Sequence, residues 1–224
     1  MYKSLKYLIN YAAILVLSIY SFSCCLHRQV KAPIENQAAY KSTVFVLVMP
    51  EDMDTEGEDP YQLGSGVAIS GGEYVLTAAH VCEYESGVKT RIEAVSWKGN
   101  AARAEIIKVN RYYDLCLLKI SAKFPSALIA IDEPEIGDKL YASGYPLAYY
   151  EVKQPLLLDG YYSGVNPRGI MLTTIPVAQG SSGGAVFNQN GEIVGILISE
   201  FREFENISFS ASLRSVNDFL NIEQ

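Results

Sequence analysis

Short apolar or alternating stretches recur along the chain, and most of them are bounded by glycine, proline or polar residues. This pattern is typical of β-strands. It predicts strands at residues 43–48, 63–69, 74–76, 91–97, 103–109, 115–120, 139–143, 155–158, 170–176, 185–188, 192–199 and 209–212. Residues 213–222 instead have apolar side chains at helical spacing after Ser212, which predicts a closing helix capped by that serine. The pattern indicates a mainly β protein with one C-terminal helix.

The first 25 residues have the pattern of an export segment. Lys3 and Lys6 precede an apolar stretch at residues 7–19, and small or polar residues precede Cys24. The residues before this cysteine resemble a degenerate bacterial lipobox, so Cys24 is a candidate lipidation site; cleaved soluble secretion and an uncleaved membrane anchor are the alternatives. Residues 26–39 have no clear period and predict a tether. We therefore expect the folded part outside the cytoplasm, either periplasmic, secreted or attached to a membrane as a lipoprotein.

Composition narrows the classes of partner. The 224 residues are 49% hydrophobic, which suits a packed globular protein, and the formal net charge is −7. Nucleic acid is not expected as a partner, since phosphate binding needs a basic face and no cluster of Lys and Arg occurs. No cluster of His, Cys and acidic residues has metal-ligand spacing, so we predict no metal site and no cofactor.

The motif GSSGG at residues 180–184 is the first candidate for chemistry. Its glycines let the backbone turn sharply and bring N–H groups close to a bound oxygen. Ser182 stands in the register Gly-X-Ser-Gly-Gly, so the amides of Gly180 and Ser182 are candidate oxyanion-hole donors, each worth about 3 to 4 kcal/mol. Taken alone, such a run also fits an ordinary turn.

Two other stretches favour the catalytic interpretation. A serine is a poor nucleophile until a base takes its proton, and the base needs a carboxylate to orient it. His80 follows an apolar strand in YVLTAAHV, and Asp114 opens another in DLCLLKI. A single such histidine or aspartate is more often a satisfied polar or turn residue, but their joint occurrence with GSSGG favours general base for His80, its orienting group for Asp114 and nucleophile for Ser182.

These motifs also carry a family resemblance. From about residue 43 onward, GSGVAIS, YVLTAAHV, DLCLLKI, GSSGGAV and a later IVGI occur in that order. The chain resembles the chymotrypsin-like (trypsin-fold) serine peptidases, especially their bacterial trypsin-like and HtrA/Deg-type branch. The resemblance implies an all-β fold of two six-stranded antiparallel β-barrels, at residues 40–125 and 126–224, with the site between them. It implies that the first barrel carries the base and its orienting group and the second the nucleophile.

Departures from the family refine these expectations. Ser181 stands where trypsin zymogens keep an activating aspartate, so we expect no activation by a new N-terminus, and we expect no PDZ domain. By the resemblance, the substrate pocket is walled by Ile175, Pro176, Val177, Ala178, Gln179, Ile198, Ser199 and Glu200. Pro176 falls where trypsins keep the acid that selects basic side chains. An uncharged, small to medium aliphatic side chain therefore fits better, although Glu200 could reach a basic one.

Cys82 and Cys116 each lie two residues beyond a proposed triad member. The resemblance makes their segments neighbours, so a disulfide is geometrically possible in an exported protein. We favour the alternative, two small buried apolar residues, since free cysteine is among the most buried residue types.

Together these patterns predict an exported serine endopeptidase that hydrolyses peptide bonds of protein or peptide substrates through an acyl-enzyme. The alternatives are a catalytically weak binding or adhesion module on the same fold and an esterase-like hydrolase.

Overall fold

The structure, a computed structural model, describes residues 37–51, 62–83, 89–146, 154–200 and 206–221. The predicted export segment, with Cys24, lies outside these residues, and so does nearly all of the predicted tether, so their roles stay predictions. A short helix, α1 (Gln37–Ser42), precedes the first strand, where the sequence predicted the end of an irregular tether. No helix in the described ranges is both long and apolar enough to cross a membrane.

Six antiparallel strands close into a first barrel. They are β1 (Thr43–Pro50), β2 (Gln62–Ile69), β3 (Tyr74–Thr77), β4 (Thr90–Ser96), β5 (Ala101–Asn110) and β6 (Leu115–Ile120). Neighbours run in the order β1, β2, β3, β6, β5, β4, and β4 pairs back onto β1. One turn of helix, α2 (Ala79–Cys82), follows β3. Closure pairs the strand edges that an open sheet would leave free.

A second closed barrel follows the first. Its strands are β7 (Lys139–Gly144), β8 (Leu156–Val165), β9 (Ile170–Thr173), β10 (Ala185–Phe187), β11 (Ile193–Glu200) and β12 (Ser208–Ser212), and they neighbour each other in the order β10, β11, β12, β9, β8, β7. The predicted all-β fold of two six-stranded antiparallel barrels is confirmed. Two strand bounds differ from prediction by more than two residues: β8 extends to Val165 instead of residue 158, and β9 ends at Thr173 instead of residue 176.

The buried apolar side chains of the described residues form three clusters, one inside each barrel and one between them. The last contains Val67 and Leu76 of the first barrel together with Phe187 and Ile193 of the second. Neighbouring residues on the same strands, such as Ala68, point the other way into the first barrel. Because successive side chains alternate between the faces of a strand, β2 and β3 are buried on both faces. This double burial explains why their sequences are continuous apolar runs, and it packs the outer face of the first barrel against the second barrel.

The closing helix, α3 (Leu213–Leu220), seals the cluster between the barrels. The hydroxyl oxygen of Ser212 accepts a hydrogen bond from the amide of Ser215, as predicted for the capping residue. Val216 and Phe219 are buried in the cluster between the barrels. At its end the helix stops at Asn221, which has the left-handed conformation common at helix C-termini.

Cys82 and Cys116 form a disulfide, so the favoured sequence interpretation, two unlinked buried cysteines, was wrong. The backbone amide of Ala79 donates to the carbonyl of Asp114 at 3.1 Å. This contact holds α2 beside the start of β6 and brings the two cysteine Cα atoms to 6.6 Å, within the range that a disulfide can span. Both cysteines are also buried, as the favoured interpretation required.

Candidate active site

His80 and Asp114 come from two segments of the first barrel and lie against each other. The Nδ1 atom of His80 is 2.6 Å from Oδ2 of Asp114. The backbone amide of His80 also donates to Oδ1 of the same carboxylate at 3.0 Å. A carboxylate facing Nδ1 selects the tautomer in which Nε2 is free to accept a proton. The pair therefore has the geometry of a general base and its orienting group.

The turn before β6 directs the Asp114 carboxylate towards α2. Asn110 closes this turn with its side-chain oxygen, which accepts from the amides of Tyr112 and Tyr113 at 2.9 and 3.1 Å. Asp114 itself has a φ of 54°, a left-handed conformation that aspartate tolerates better than most residues. The local sequence Asn-Arg-Tyr-Tyr-Asp thus provides both the turn and the partly buried carboxylate.

Ser182 lies in the connection between β9 and β10. We call residues 178–184 of this connection the GSSGG loop. Gly180 and Gly183 have φ values of 92° and 85°, so a side chain at either position would strain the backbone. The amide of Gly183 donates to the carbonyl of Leu197 on β11 at 2.8 Å. The loop is therefore shaped by its glycines and anchored to the second barrel.

The GSSGG loop packs directly against the turn that leads into α2. A Cβ atom built on Gly64 would lie 2.6 Å from a methyl group of Val81 and 3.0 Å from the carbonyl oxygen of Ser182. A Cβ atom on Gly183 would lie 3.0 Å from the amide nitrogen of Ala78. Only glycine allows backbones to approach this closely. The structure thus brings the loop of the proposed nucleophile beside the helix of the proposed base.

The hydroxyl of Ser182 donates to the carbonyl of Ile198 at 2.9 Å. Among the described residues it has no hydrogen bond to His80. Ile198 lies at a β-bulge, where the pairing of β11 with β12 shifts register. Bulges are common beside active sites because they re-aim backbone and side-chain groups. Here the bulge turns a carbonyl towards the serine, a contact that the sequence did not reveal.

The backbone amides of Gly180 and Ser182 have no acceptor among the residues that the structure describes. Gly180 is buried, and an amide buried without a partner is rare and costs about 1 to 3 kcal/mol. Free backbone donors in the loop of a nucleophilic serine are what stabilisation of an oxyanion requires. The donors predicted from the GSSGG motif are thus available for a ligand oxygen.

The predicted pocket residues differ in exposure. Ile175 is buried in the core of the second barrel, so it can face a substrate only through its backbone. Pro176 and Gln179 are exposed, whereas Val177, Ala178 and Ile198 are partly buried. The backbones of Ser199 and Glu200 end β11. Their joint assignment to a substrate pocket stays a prediction.

Tyr145 provides an uncharged wall behind the GSSGG loop. Its ring is buried, with its centroid 5.0 Å from that of Phe45. Burial raises the pKa of Tyr145 far above its usual range, so its phenol stays neutral. Its carbonyl oxygen would lie 2.4 Å from a Cβ atom on Gly180.

Within the described ranges no group of His, Cys, Asp and Glu side chains could hold a metal ion.

The fold and the site define a peptidase-like protein of the two-barrel class. Residues 64–196 match the model of the trypsin-like peptidase domain. The chain belongs to this family.

Individual relatives agree with the family. The chain is 28% identical over 159 residues to a probable periplasmic serine endoprotease DegP-like of Halomonas elongata, covering 67% of this chain and 32% of the relative. It is 30% identical over 155 residues to the periplasmic pH-dependent serine endoprotease DegQ of Escherichia coli, covering 65% and 33%. The crystal structure of the serine endoprotease from Yersinia pestis superposes with a TM-score of 0.69 at 27% identity, covering 83% of this chain and 65% of that one. The chain thus spans about a third of the length of the DegP-like and DegQ relatives.

Proposed function

We propose that this chain is a serine endopeptidase that uses Ser182, His80 and Asp114 as its catalytic triad. The observation that carries the proposal is the His80–Asp114 pair, held by two hydrogen bonds to one carboxylate beside a loop with two free amides. Membership of the trypsin-like peptidase family supports the same reaction class. The names of the relatives, which are serine endoproteases, support it further.

In the proposed reaction, the Ser182 hydroxyl first rotates about χ1, away from the Ile198 carbonyl and towards Nε2 of His80. Oγ then attacks the carbonyl carbon of the scissile peptide bond while its proton passes to Nε2. The amides of Gly180 and Ser182 donate to the oxyanion that forms. His80 returns the proton to the leaving nitrogen as the C–N bond breaks, and water then releases the acyl group by the same steps.

A second candidate is a binding or adhesion module with little turnover. It is favoured by one contact, the hydrogen bond from Ser182 to Ile198, because a hydroxyl held there is not poised for attack. Catalytic hydrogen bonds are often long or unformed without substrate, so we retain the peptidase as the main proposal.

The export pattern of residues 1–25 supports action outside the cytoplasm. The Cys82–Cys116 disulfide fits an oxidising compartment, and two relatives are named periplasmic. Lipidation of Cys24 and attachment to a membrane are part of this proposal. N-terminal mass spectrometry of the mature protein would detect a lipidated cysteine, a cleaved end or an uncleaved one.

Labelling with a fluorophosphonate probe tests the proposed nucleophile. We expect the wild type to react and Ser182→Ala to remain unlabelled, with Ser181→Ala as the matched control that still reacts. Ser181 is buried and its hydroxyl accepts from the amide of Ala178, so it is a poor target for the probe. Labelling that persists in Ser182→Ala would move the nucleophile to another residue. Hydrolysis of casein but not of simple esters would separate a peptidase from an esterase.

A further inference from the structure

Ser65 is a buried serine of β2 that touches both sides of the cleft. Its side chain has no exposure to solvent. Its hydroxyl donates to the carbonyl of Gly180 at 2.6 Å and accepts from the amide of Tyr145 at 2.8 Å. A single hydroxyl of the first barrel therefore joins the GSSGG loop to the end of β7 in the second barrel.

The backbone of Ser65 is bonded just as closely. Its amide donates to the carbonyl of Ser182 at 2.7 Å, and its own carbonyl accepts from the hydroxyl of Thr77 at 2.6 Å. Ser65 thus contacts two peptide units of the GSSGG loop, Gly180–Ser181 and Ser182–Gly183. These units adjoin the two free amides, those of Gly180 and Ser182.

The space beside the Ser65 hydroxyl is tight on the side of β7. A Cβ atom on Gly144 would lie 2.8 Å from Oγ of Ser65, so the neighbouring strand leaves room for the hydroxyl and for little else. Removing the hydroxyl would leave the amide of Tyr145 and the carbonyl of Gly180 without this buried partner. Nearly all buried backbone groups in folded proteins are hydrogen-bonded. The Gly180–Ser181 peptide would therefore have to move to bring its carbonyl to another donor.

We propose that the Ser65 hydroxyl is a positioning group for the oxyanion hole. It holds the Gly180–Ser181 peptide by its carbonyl and, through the backbone of Gly180, keeps the amide of that residue facing the reacting carbonyl. The proposal rests on the proposed peptidase function. Oxyanion stabilisation acts on the transition state more than on bound substrate. Loss of the hydroxyl should therefore lower kcat and leave KM nearly unchanged.

The test compares Ser65→Ala with Ser143→Ala. Ser143 is also fully buried, and it also accepts a hydroxyl hydrogen bond across the barrels, from Thr43 at 2.7 Å. With a chromogenic peptide substrate, we expect Ser65→Ala to lose about 10- to 100-fold in kcat, the range for small misplacement of a reacting group or loss of one oxyanion donor, with KM within two-fold. Affinity for a peptide boronate, which forms a tetrahedral adduct, should fall in parallel. Ser143→Ala should keep the wild-type kcat despite a comparable loss of thermal stability.

A second variant covers the case in which Ser65→Ala does not fold. Gly144→Ala keeps the serine and crowds its hydroxyl, and it should lower kcat in the same way. If kcat stays within two-fold of wild type in whichever of these variants folds, or falls equally in Ser143→Ala, the positioning role is wrong.

An inactive wild type would refute the proposed function separately. Crystal structures of wild type and variant would then decide the role of Ser65: a displaced Gly180 carbonyl in the variant supports it, and an unmoved one overturns it.

Discussion

Removing the Cys82–Cys116 disulfide should destabilise the protein strongly but slow catalysis little. The bridge joins residues 34 apart in sequence. In the chain-entropy model, a loop of that length lowers the entropy of the unfolded chain enough to stabilise the fold by about 3.8 kcal/mol at 25 °C. We therefore expect the double variant Cys82→Ala with Cys116→Ala to lose about 3 to 4 kcal/mol. For a domain of this size, that loss corresponds to roughly 10 °C in Tm.

The structure separates this stability from the geometry of the site. Three hydrogen bonds join α2 to Asp114 without the sulfur atoms: those from the amides of Ala79 and His80 and that from Nδ1 of His80. The two of these bonds that go to the Asp114 carboxylate each contribute roughly 1.5 to 3 kcal/mol. At 25 °C the folded double variant should therefore keep kcat within about three-fold of wild type.

Urea unfolding followed by tryptophan fluorescence gives the stability, and peptide hydrolysis below the unfolding transition gives kcat. Dithiothreitol should destabilise the wild type once the bridge is reduced and leave the double variant unchanged, which controls for other effects of the reductant. An unfolding free energy within about 1 kcal/mol of wild type would refute the loop-entropy reasoning. A ten-fold loss of kcat in the folded variant would show that the bridge, not the hydrogen bonds, sets the geometry.

Two further predictions concern single carboxyl groups. Asp114→Asn keeps a residue that tolerates the left-handed backbone but replaces one acceptor of the His80 pair by a donor. The variant should have a lower Tm, because it loses a hydrogen bond to a charged group, but it should stay folded at 25 °C with kcat reduced by roughly 10³- to 10⁴-fold. A loss below ten-fold in steady-state hydrolysis would contradict the role of Asp114. Glu133 is an exposed residue, but partial desolvation of its carboxyl raises its pKa above the usual value of 4.5. The folded state therefore resists ionisation of this group, and stability should fall slightly as pH rises from about 4.5 through the folded pKa. Glu133→Gln should remove that fall, and its side-chain oxygen can still accept from the amide of Arg214. Parallel curves of unfolding free energy against pH for wild type and variant would contradict this prediction.

Local sequence was enough to predict most strands and the closing helix. The strand β6 begins and ends at the predicted residues 115–120, and β7 and β12 differ by one residue at one end. Apolar periodicity and glycine turns act over a few residues, so they can be recognised without knowing the fold. The helix α3 was predicted for the same reason, since Ser212 and the apolar residues after it form a local signal. The candidate triad came from three local motifs and their order along the chain.

Tertiary structure decided the features that join remote residues. The length of β8 follows from its pairing with β7 and β9, whereas its own sequence is interrupted by Asp159 and Gly160. The disulfide depends on α2 lying beside the start of β6. The Ser182 hydroxyl contacts Ile198 because a bulge in β11 presents that carbonyl. The Ser65 hydroxyl has its two partners, Gly180 and Tyr145, only because the two barrels meet there. Such contacts join segments that are far apart in the chain, and these segments come close together only when both barrels have closed.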